Sequence, residues 1–405
     1  METERLEQKR KRRIRRQKRQ AKQYYMIQAC IFVAVVFGIF IANLIIGDKT
    51  ISESEKRELS SFPSVSVNRV LSGKFGEDFE SYASDQMVMR DTFVYMKSNI
   101  DLLLGKKDSQ GVYRCKDGYF MEYMDTINEE TLCNTLDSIK EFTGGQTSNI
   151  TFVMVPDAIS IYSEKLPAFA VTEDQGQWSD YISSYLNGTN INYLDLTDTL
   201  KNAKEELADG ESLYYRTDHH WTTLGAYSCL DAVRTSLNLS TEKLNYSPLL
   251  VCDSFKGSLV SKGGFSTDVC DSIDIYMPQE EQNYLLTSNG TKLSSVYSMD
   301  GLNSSDPYTV FLGGNEGYIR IETDKADKGK LLVFKDSYFN CFLPFLIDDY
   351  SVIDVVDPRY YADEIQTLLY QNDYDSVMYF YNMNTFVEDT SLSLVLDAAT
   401  GRGAQ

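Results

Sequence analysis

Histidine is almost absent from this chain. Of 405 residues only two are histidine, adjacent in Arg216-Thr217-Asp218-His219-His220-Trp221-Thr222, so any histidine-dependent chemistry belongs to this one segment. Histidine is the side chain suited to proton exchange near neutral pH. An Asp two positions before His220 can hold one ring nitrogen and stabilise the imidazolium; the same pair also reads as two structural histidines in a loop. No two of the seven cysteines are spaced as CxxC, which removes the tight pairing of a zinc or redox site. Internal repeats are absent, as are low-complexity tracts beyond a basic N-terminal arm.

Charge of either sign is missing from residues 24–46. At about 1.5 Å per residue such a run spans the hydrocarbon core of a bilayer, roughly 30 Å thick. Residues 1–23 hold 11 Lys/Arg against 3 Asp/Glu, while the remainder holds the other 28 basic and 56 acidic residues. The positive-inside rule puts the basic arm in the cytoplasm, and the acidic part is then extracellular. The apolar run ends in Asn43-Leu44-Ile45-Ile46-Gly47-Asp48 with no small-x-small cleavage site, so an uncleaved single-pass anchor in the cell membrane is expected rather than a signal peptide. So acidic an outer part repels phosphates, and nucleic acid is not an expected partner. Exported cysteines permit disulfides, and the spacings Cys115 to Cys133 and Cys252 to Cys270 allow local bridges.

The expected organisation is a basic cytoplasmic tail (1–23), a transmembrane anchor (24–46), a linker and helical lead-in (47–110) and an α/β domain (111–405). In the lead-in, Val70, Leu71, Phe75, Phe79, Tyr82, Met87, Phe93, Met96, Ile100 and Leu103 keep helical spacing and predict about two helices. Gln110–Phe120 reads as a β-hairpin around Lys116-Asp117-Gly118. Runs at 149–155, 191–196, 330–334, 352–356 and 376–381 are strand-like and separated by helix-length segments, the pattern of a mostly parallel sheet covered by helices. Residues 240–325 are less regular and read as strands and loops inserted in that domain.

Functional groups collect at the carboxyl ends of strands in such sheets. Strand 330–334 runs directly into Lys335-Asp336-Ser337-Tyr338. A serine at a strand-to-helix turn is exposed beside backbone N–H groups that can stabilise an oxyanion, and it needs a base before it can attack an acyl carbon. Ser337 also reads as an ordinary helix cap. In an extended segment Asp218 and His220 project to one side and His219 to the other, which makes His220 the base, Asp218 its orienting acid and His219 a supporting residue. After strand 376–381, Asn382 is either an oxyanion donor or a turn residue. A metal-dependent hydrolase built on Asp218, His219 and His220 is disfavoured, because adjacent histidines are expected to point apart and no third histidine exists to complete a site.

Thr217-Asp218-His219-His220-Trp221-Thr222 together with Phe334-Lys335-Asp336-Ser337-Tyr338 resembles the DHHW protein family, relatives of the alginate O-acetyltransferases with SGNH-hydrolase-like domains. Weaker likenesses run through Glu55–Pro63, Phe75–Arg90, Lys116-Asp117-Gly118-Tyr119, Val155-Pro156-Asp157 and Asp357-Pro358-Arg359. The resemblance implies a three-layer α/β sandwich and a triad of Ser337, His220 and Asp218, with Tyr338, Asn382, His219 and Trp221 as oxyanion or supporting residues. It further implies a serine acyltransferase or esterase that O-acetylates or deacetylates a cell-surface polysaccharide. A membrane-bound O-acyltransferase would be the acetyl donor, and the chemistry calls for no cofactor and no metal. The Gly-x-Asn-Asp block of ordinary SGNH hydrolases is missing, which leaves the oxyanion donors open. A non-catalytic scaffold or glycan-binding module on the same fold is the competing expectation.

Overall fold

The computed structural model describes residues 2–52, 57–146, 148–240 and 245–402; Glu55 and Lys56 of the Glu55–Pro63 stretch lie outside them. The chain divides into two compact units at Val94/Tyr95. In the first, one helix runs over Glu2–Ile45, joining the basic arm to the apolar run, and part of it is long and apolar enough to cross a membrane. Helices Val67–Leu71 and Lys74–Asp85 follow, and helix Arg90–Leu103 passes through the division. Phe62 packs edge-on against Phe79 and Tyr82, which absorbs part of the apolar stripe expected of the lead-in.

The second unit is built on an eight-stranded sheet. Its strands in chain order are β1 (Asn149–Val155), β2 (Ile191–Asp195), β3 (Tyr284–Ser288), β4 (Thr291–Leu293), β5 (Tyr318–Thr323), β6 (Lys330–Lys335), β7 (Val352–Val356) and β8 (Ser376–Asn382), and their spatial order is β4-β3-β5-β7-β6-β8-β1-β2. The five strands from β7 to β2 are mutually parallel. β4, β3 and β5 add an antiparallel wing. The wing is formed by strands of residues 240–325, which the sequence reads as strands and loops inserted in this domain. Three strands of that region, β3, β4 and β5, join the main sheet's edge, and the ribbon Tyr246–Phe255/Asp271–Pro278 pairs apart from it.

Period-two alternation fills both faces of the parallel strands. Val153, Leu331, Val333, Met378 and Phe380 enter one apolar cluster, and Ile150, Phe152, Leu332, Phe334, Val377 and Tyr379 enter the other. Helices Glu129–Thr143 and Gln175–Leu186 cover the second face, while Thr197–Glu205 and Leu230–Ser236 cover the first. The result is the expected three-layer α/β sandwich. The hairpin forms as expected, with Asp117 at φ 56° and Gly118 at φ 78°, the left-handed pair that a two-residue turn requires. All seven cysteines are free, so the two local bridges allowed by spacing are not made. Cys133, for example, lies 3.1 Å from the Tyr181 hydroxyl.

Candidate active site

β6 ends at Lys335, and Asp336 caps the short 3-10 helix Ser337–Cys341, its carboxylate accepting from Tyr338 N–H at 2.9 Å and from Asn382 N–H at 2.7 Å. Ser337 is therefore held between a strand and a helix turn at the carboxyl edge of the sheet. Behind it Lys335 is wholly buried, its ammonium 2.9 Å from both Asp357 and Asn340, and Arg359 also pairs with Asp357 at 2.7 Å. Removing one partner from such a buried set strands a charge, so this network anchors the strand end that carries Ser337.

The histidine segment is not extended, contrary to its sequence reading. Tyr214 and Trp221 form an antiparallel bridge that closes residues 215–220 into a loop. Asp218 Oδ1 turns back to accept the backbone N–H of His220 at 3.1 Å, as Asp does in an Asx turn. The same oxygen accepts His220 Nδ1–H at 2.6 Å, and His220 Nε2 lies 2.7 Å from Ser337 Oγ. Residues 117 positions apart in sequence thus complete an Asp–His–Ser relay. Nδ1 is assigned as the protonated nitrogen because Asp218 faces it. Asp218 and His220 are nearly inaccessible. Burial alone would raise the Asp218 carboxyl, but the two histidines and the hydrogen bonds from His220 and Ser258 outweigh it and hold it well below the ordinary carboxylate range.

His219 does not point away either. Its ring centroid lies 3.8 Å from that of His220, and its Nδ1 lies 2.8 Å from Ser258 Oγ. Tyr308 stacks on His220 at the same 3.8 Å and an interplanar angle of 9°. Two rings cannot share one face at that spacing, so the His220 imidazole is sandwiched between them. Trp221 Nε1–H donates to Tyr338 O at 3.0 Å, and Tyr338 O–H donates to His219 O. These two bonds tie the histidine loop to the helix bearing Ser337. Asn382 cannot serve as the oxyanion donor in this arrangement. Its Nδ2 donates to Asp157 Oδ1 at 2.7 Å and to Val155 O at 3.3 Å, and its Oδ1 caps helix Met383–Glu388. Tyr338 N–H is held by Asp336. Ser337 N–H, at a helix start where amides lack internal partners, has no partner among the described residues.

The irregular region supplies what sequence reasoning missed. Asp271 Oδ2 accepts Thr217 N–H at 2.8 Å and Thr217 Oγ1–H at 2.5 Å. Ser258 donates to Asp218 Oδ2 through its N–H at 2.7 Å and its hydroxyl at 2.9 Å. Helix Ser258–Lys262 is itself seated by Leu259 and Val260 against Val112 and Phe120 of the hairpin. Gly257 approaches Asp218 so closely that a Cβ there would sit 2.2 Å from Asp218 Cβ. Ser258, Asp271, Tyr308 and Gly257 carry no local motif that marks them in sequence. Asp218, His219 and His220 also bring their ligand atoms within 4.8 Å of one another. Both His220 nitrogens and both Asp218 oxygens already serve hydrogen bonds within the protein, so this donor set does not fit a metal ion.

Residues 136–248 match the family described as SGNH hydrolase-like domain, acetyltransferase AlgX. That match includes Asp218–Trp221 and ends before Ser337. In structure the chain is similar to a DHHW family protein from Eubacterium siraeum (23% identity, 71% of this chain and 95% of that one, TM-score 0.60). It is also similar to Bacillus cereus PatB1 bearing a sulfonyl adduct (18% identity, 69% and 97%, TM-score 0.57). These likenesses establish the fold. No curated protein matches the chain.

Proposed function

We propose that this chain is a membrane-anchored, extracytoplasmic serine acyltransferase or esterase that acts on O-acetyl groups of a cell-surface polysaccharide. The observation that carries the proposal is the relay itself, with Ser337 Oγ 2.7 Å from His220 Nε2 and His220 Nδ1 2.6 Å from Asp218. His220 takes the Ser337 proton as Oγ attacks the acetyl carbonyl. Asp218 stabilises the imidazolium, and Tyr308 beneath the ring adds the attraction of a π face for a cation. The oxyanion is met by the open Ser337 N–H. Collapse passes the His220 proton to the leaving alcohol and leaves acetyl-Ser337. In the second half His220 deprotonates the acceptor, a sugar hydroxyl or water, and Ser337 recovers its proton. A membrane-bound O-acyltransferase would supply the acetyl group on the outer side. The apolar helix would anchor the chain with its basic arm in the cytoplasm.

The test uses the full chain in detergent micelles with p-nitrophenyl acetate, beside Ser337→Ala and His220→Ala, with folding checked by circular dichroism. Wild-type nitrophenol release that both variants lose, together with an aryl sulfonyl fluoride adduct mapped to Ser337, is the expected result. A second reading, a non-catalytic glycan-binding scaffold, is favoured by one observation: Tyr338 N–H and the Asn382 amide are engaged elsewhere, which leaves Ser337 N–H as the open donor beside Ser337 Oγ among the described residues. Equal background rates in all three proteins and no adduct would decide for the scaffold.

A further inference from the structure

His219 is a polar ring of the site that is partly open to solvent. Ser258 Oγ lies within hydrogen-bond reach of two acceptor atoms, Asp218 Oδ2 at 2.9 Å and His219 Nδ1 at 2.8 Å, and its single proton can serve one of them. A carboxylate is the stronger acceptor, so the proton goes to Asp218 and His219 Nδ1–H becomes the donor to Ser258. His219 Nε2 is then a bare lone pair, with no hydrogen bond to any described residue. The His219 side chain is 39% exposed, against 6% for His220. The chain thus presents two imidazoles in contact, ring over ring, each protonated at Nδ1 and each unprotonated at Nε2. One lone pair meets Ser337, and the other, on a ring partly open to solvent, has no hydrogen-bond partner among the described residues. Burial and then the neighbouring His220 push the His219 imidazole below its ordinary range, which favours the neutral ring at pH 7.

We infer that His219 positions the acceptor, its Nε2 accepting a hydroxyl next to the one that His220 deprotonates, so that the site selects acceptors with hydroxyls on neighbouring carbons. This rests on the acyl-transfer reading. The bond changes remain those at Ser337: the reacting hydroxyl gives its proton to His220 and its oxygen takes the acetyl carbon, while the neighbouring hydroxyl keeps its proton and only donates a hydrogen bond. A simple alcohol or water fills the first position and leaves His219 unused. A merely structural histidine would tie Ser258 in place and treat all acceptors alike.

The experiment uses the full chain in micelles with p-nitrophenyl acetate as donor and trans-1,2-cyclohexanediol or cyclohexanol as acceptor, with both monoacetates quantified by mass spectrometry. Wild type is expected to favour the diol about tenfold beyond the factor of about two for having two hydroxyls, the worth of one added hydrogen bond. His219→Asn keeps a donor toward Ser258 but has no atom at the Nε2 position, and should lose the preference; His219→Gln, which restores an acceptor there, should regain part of it. A diol preference unchanged in His219→Asn, even if both rates fall together, overturns the inference. So does a wild type that acetylates both alcohols without preference. If Ser337→Ala matches wild type with both acceptors, the acyl-transfer reading itself fails, a distinct result. Because the chain has two histidines, 15N-histidine labelling gives a readout free of turnover. A bare His219 Nε2 that shifts with the diol and not with cyclohexanol supports the assignment, and one indifferent to both refutes it.

Discussion

Gly257→Ala perturbs the site through steric contact alone. Gly257 has φ −83° and ψ 180°, a conformation open to alanine, so no backbone strain accompanies the change. The added methyl would lie 2.2 Å from Asp218 Cβ, 2.5 Å from its Cα and 2.6 Å from Oδ2. Carbon atoms rest at about 3.5 Å or more, so one side must retreat by roughly 1.3 Å. Neither can do so without loss. If Asp218 moves, its carboxylate leaves His220 Nδ1. If residue 257 moves, Ser258 loses its two bonds to Asp218 Oδ2, and Gly257 N–H loses Thr217 Oγ1 at 2.9 Å. A misplacement of about 1 Å at a reacting constellation costs about 100-fold in rate, and overpacking costs about 1–3 kcal/mol of stability. The expected outcome is a folded protein, lowered modestly in urea midpoint, whose kcat/KM for p-nitrophenyl acetate is about 100-fold below wild type. Gly145→Ala is the control, since a Cβ there meets nothing within 4 Å. A Gly257→Ala protein within twofold of wild type in kcat/KM would refute the claim that this close approach sets Asp218 in place.

Burial raises the Asp157 carboxyl from 3.8 to about 7, so between those pH values the folded chain holds a proton that the unfolded chain has released. Stability from this group is present in full below about pH 4 and declines as pH rises to about 7, by roughly 4 kcal/mol at 1.36 kcal/mol per unit; urea midpoints followed from pH 4 to 8 should fall more steeply in wild type than in Asp157→Asn, in which Asp349, raised by burial to about 6, keeps a slope of its own. Tyr308→Phe keeps the stack on His220 and should retain wild-type kcat, whereas Tyr308→Leu loses the π face under the imidazolium and should lower kcat about tenfold in a nitrophenol assay. Trp221→Phe leaves the buried Tyr338 carbonyl without the donor it has at 3.0 Å and should cost about 1–3 kcal/mol in chemical denaturation, with slower acylation because the histidine loop is no longer tied to the Ser337 helix.

Much of the candidate site was legible because it is encoded locally. The scarcity of histidine isolates one segment, the spacing Asp218-x-His220 lets a carboxylate reach its neighbour through a turn, and Ser337 stands where a β-branched and aromatic run stops. The parallel core was legible for the same reason, since period-two apolar runs such as Ile150–Val155 and Leu331–Phe334 are buried on both faces and need only short-range pattern to declare themselves. The orientation of His219 was not legible. Alternation predicts opposite sides for neighbouring residues only in an extended chain, and the Tyr214–Trp221 bridge makes this segment a loop that brings both rings together. Nor could sequence show that Ser258, Asp271 and Tyr308 support the relay. They lie about 40 to 90 positions beyond Asp218 in an irregular stretch, and the packing of helix Ser258–Lys262 on the hairpin and of the Tyr308 turn beside Ser337 helps carry them there. The sequence by itself determined which side chains can react. The tertiary structure decided which of them meet, which partners the imidazole nitrogens have, and that the Asn382 amide is turned to Asp157, because these depend on contacts between segments whose separation along the chain carries no local signal.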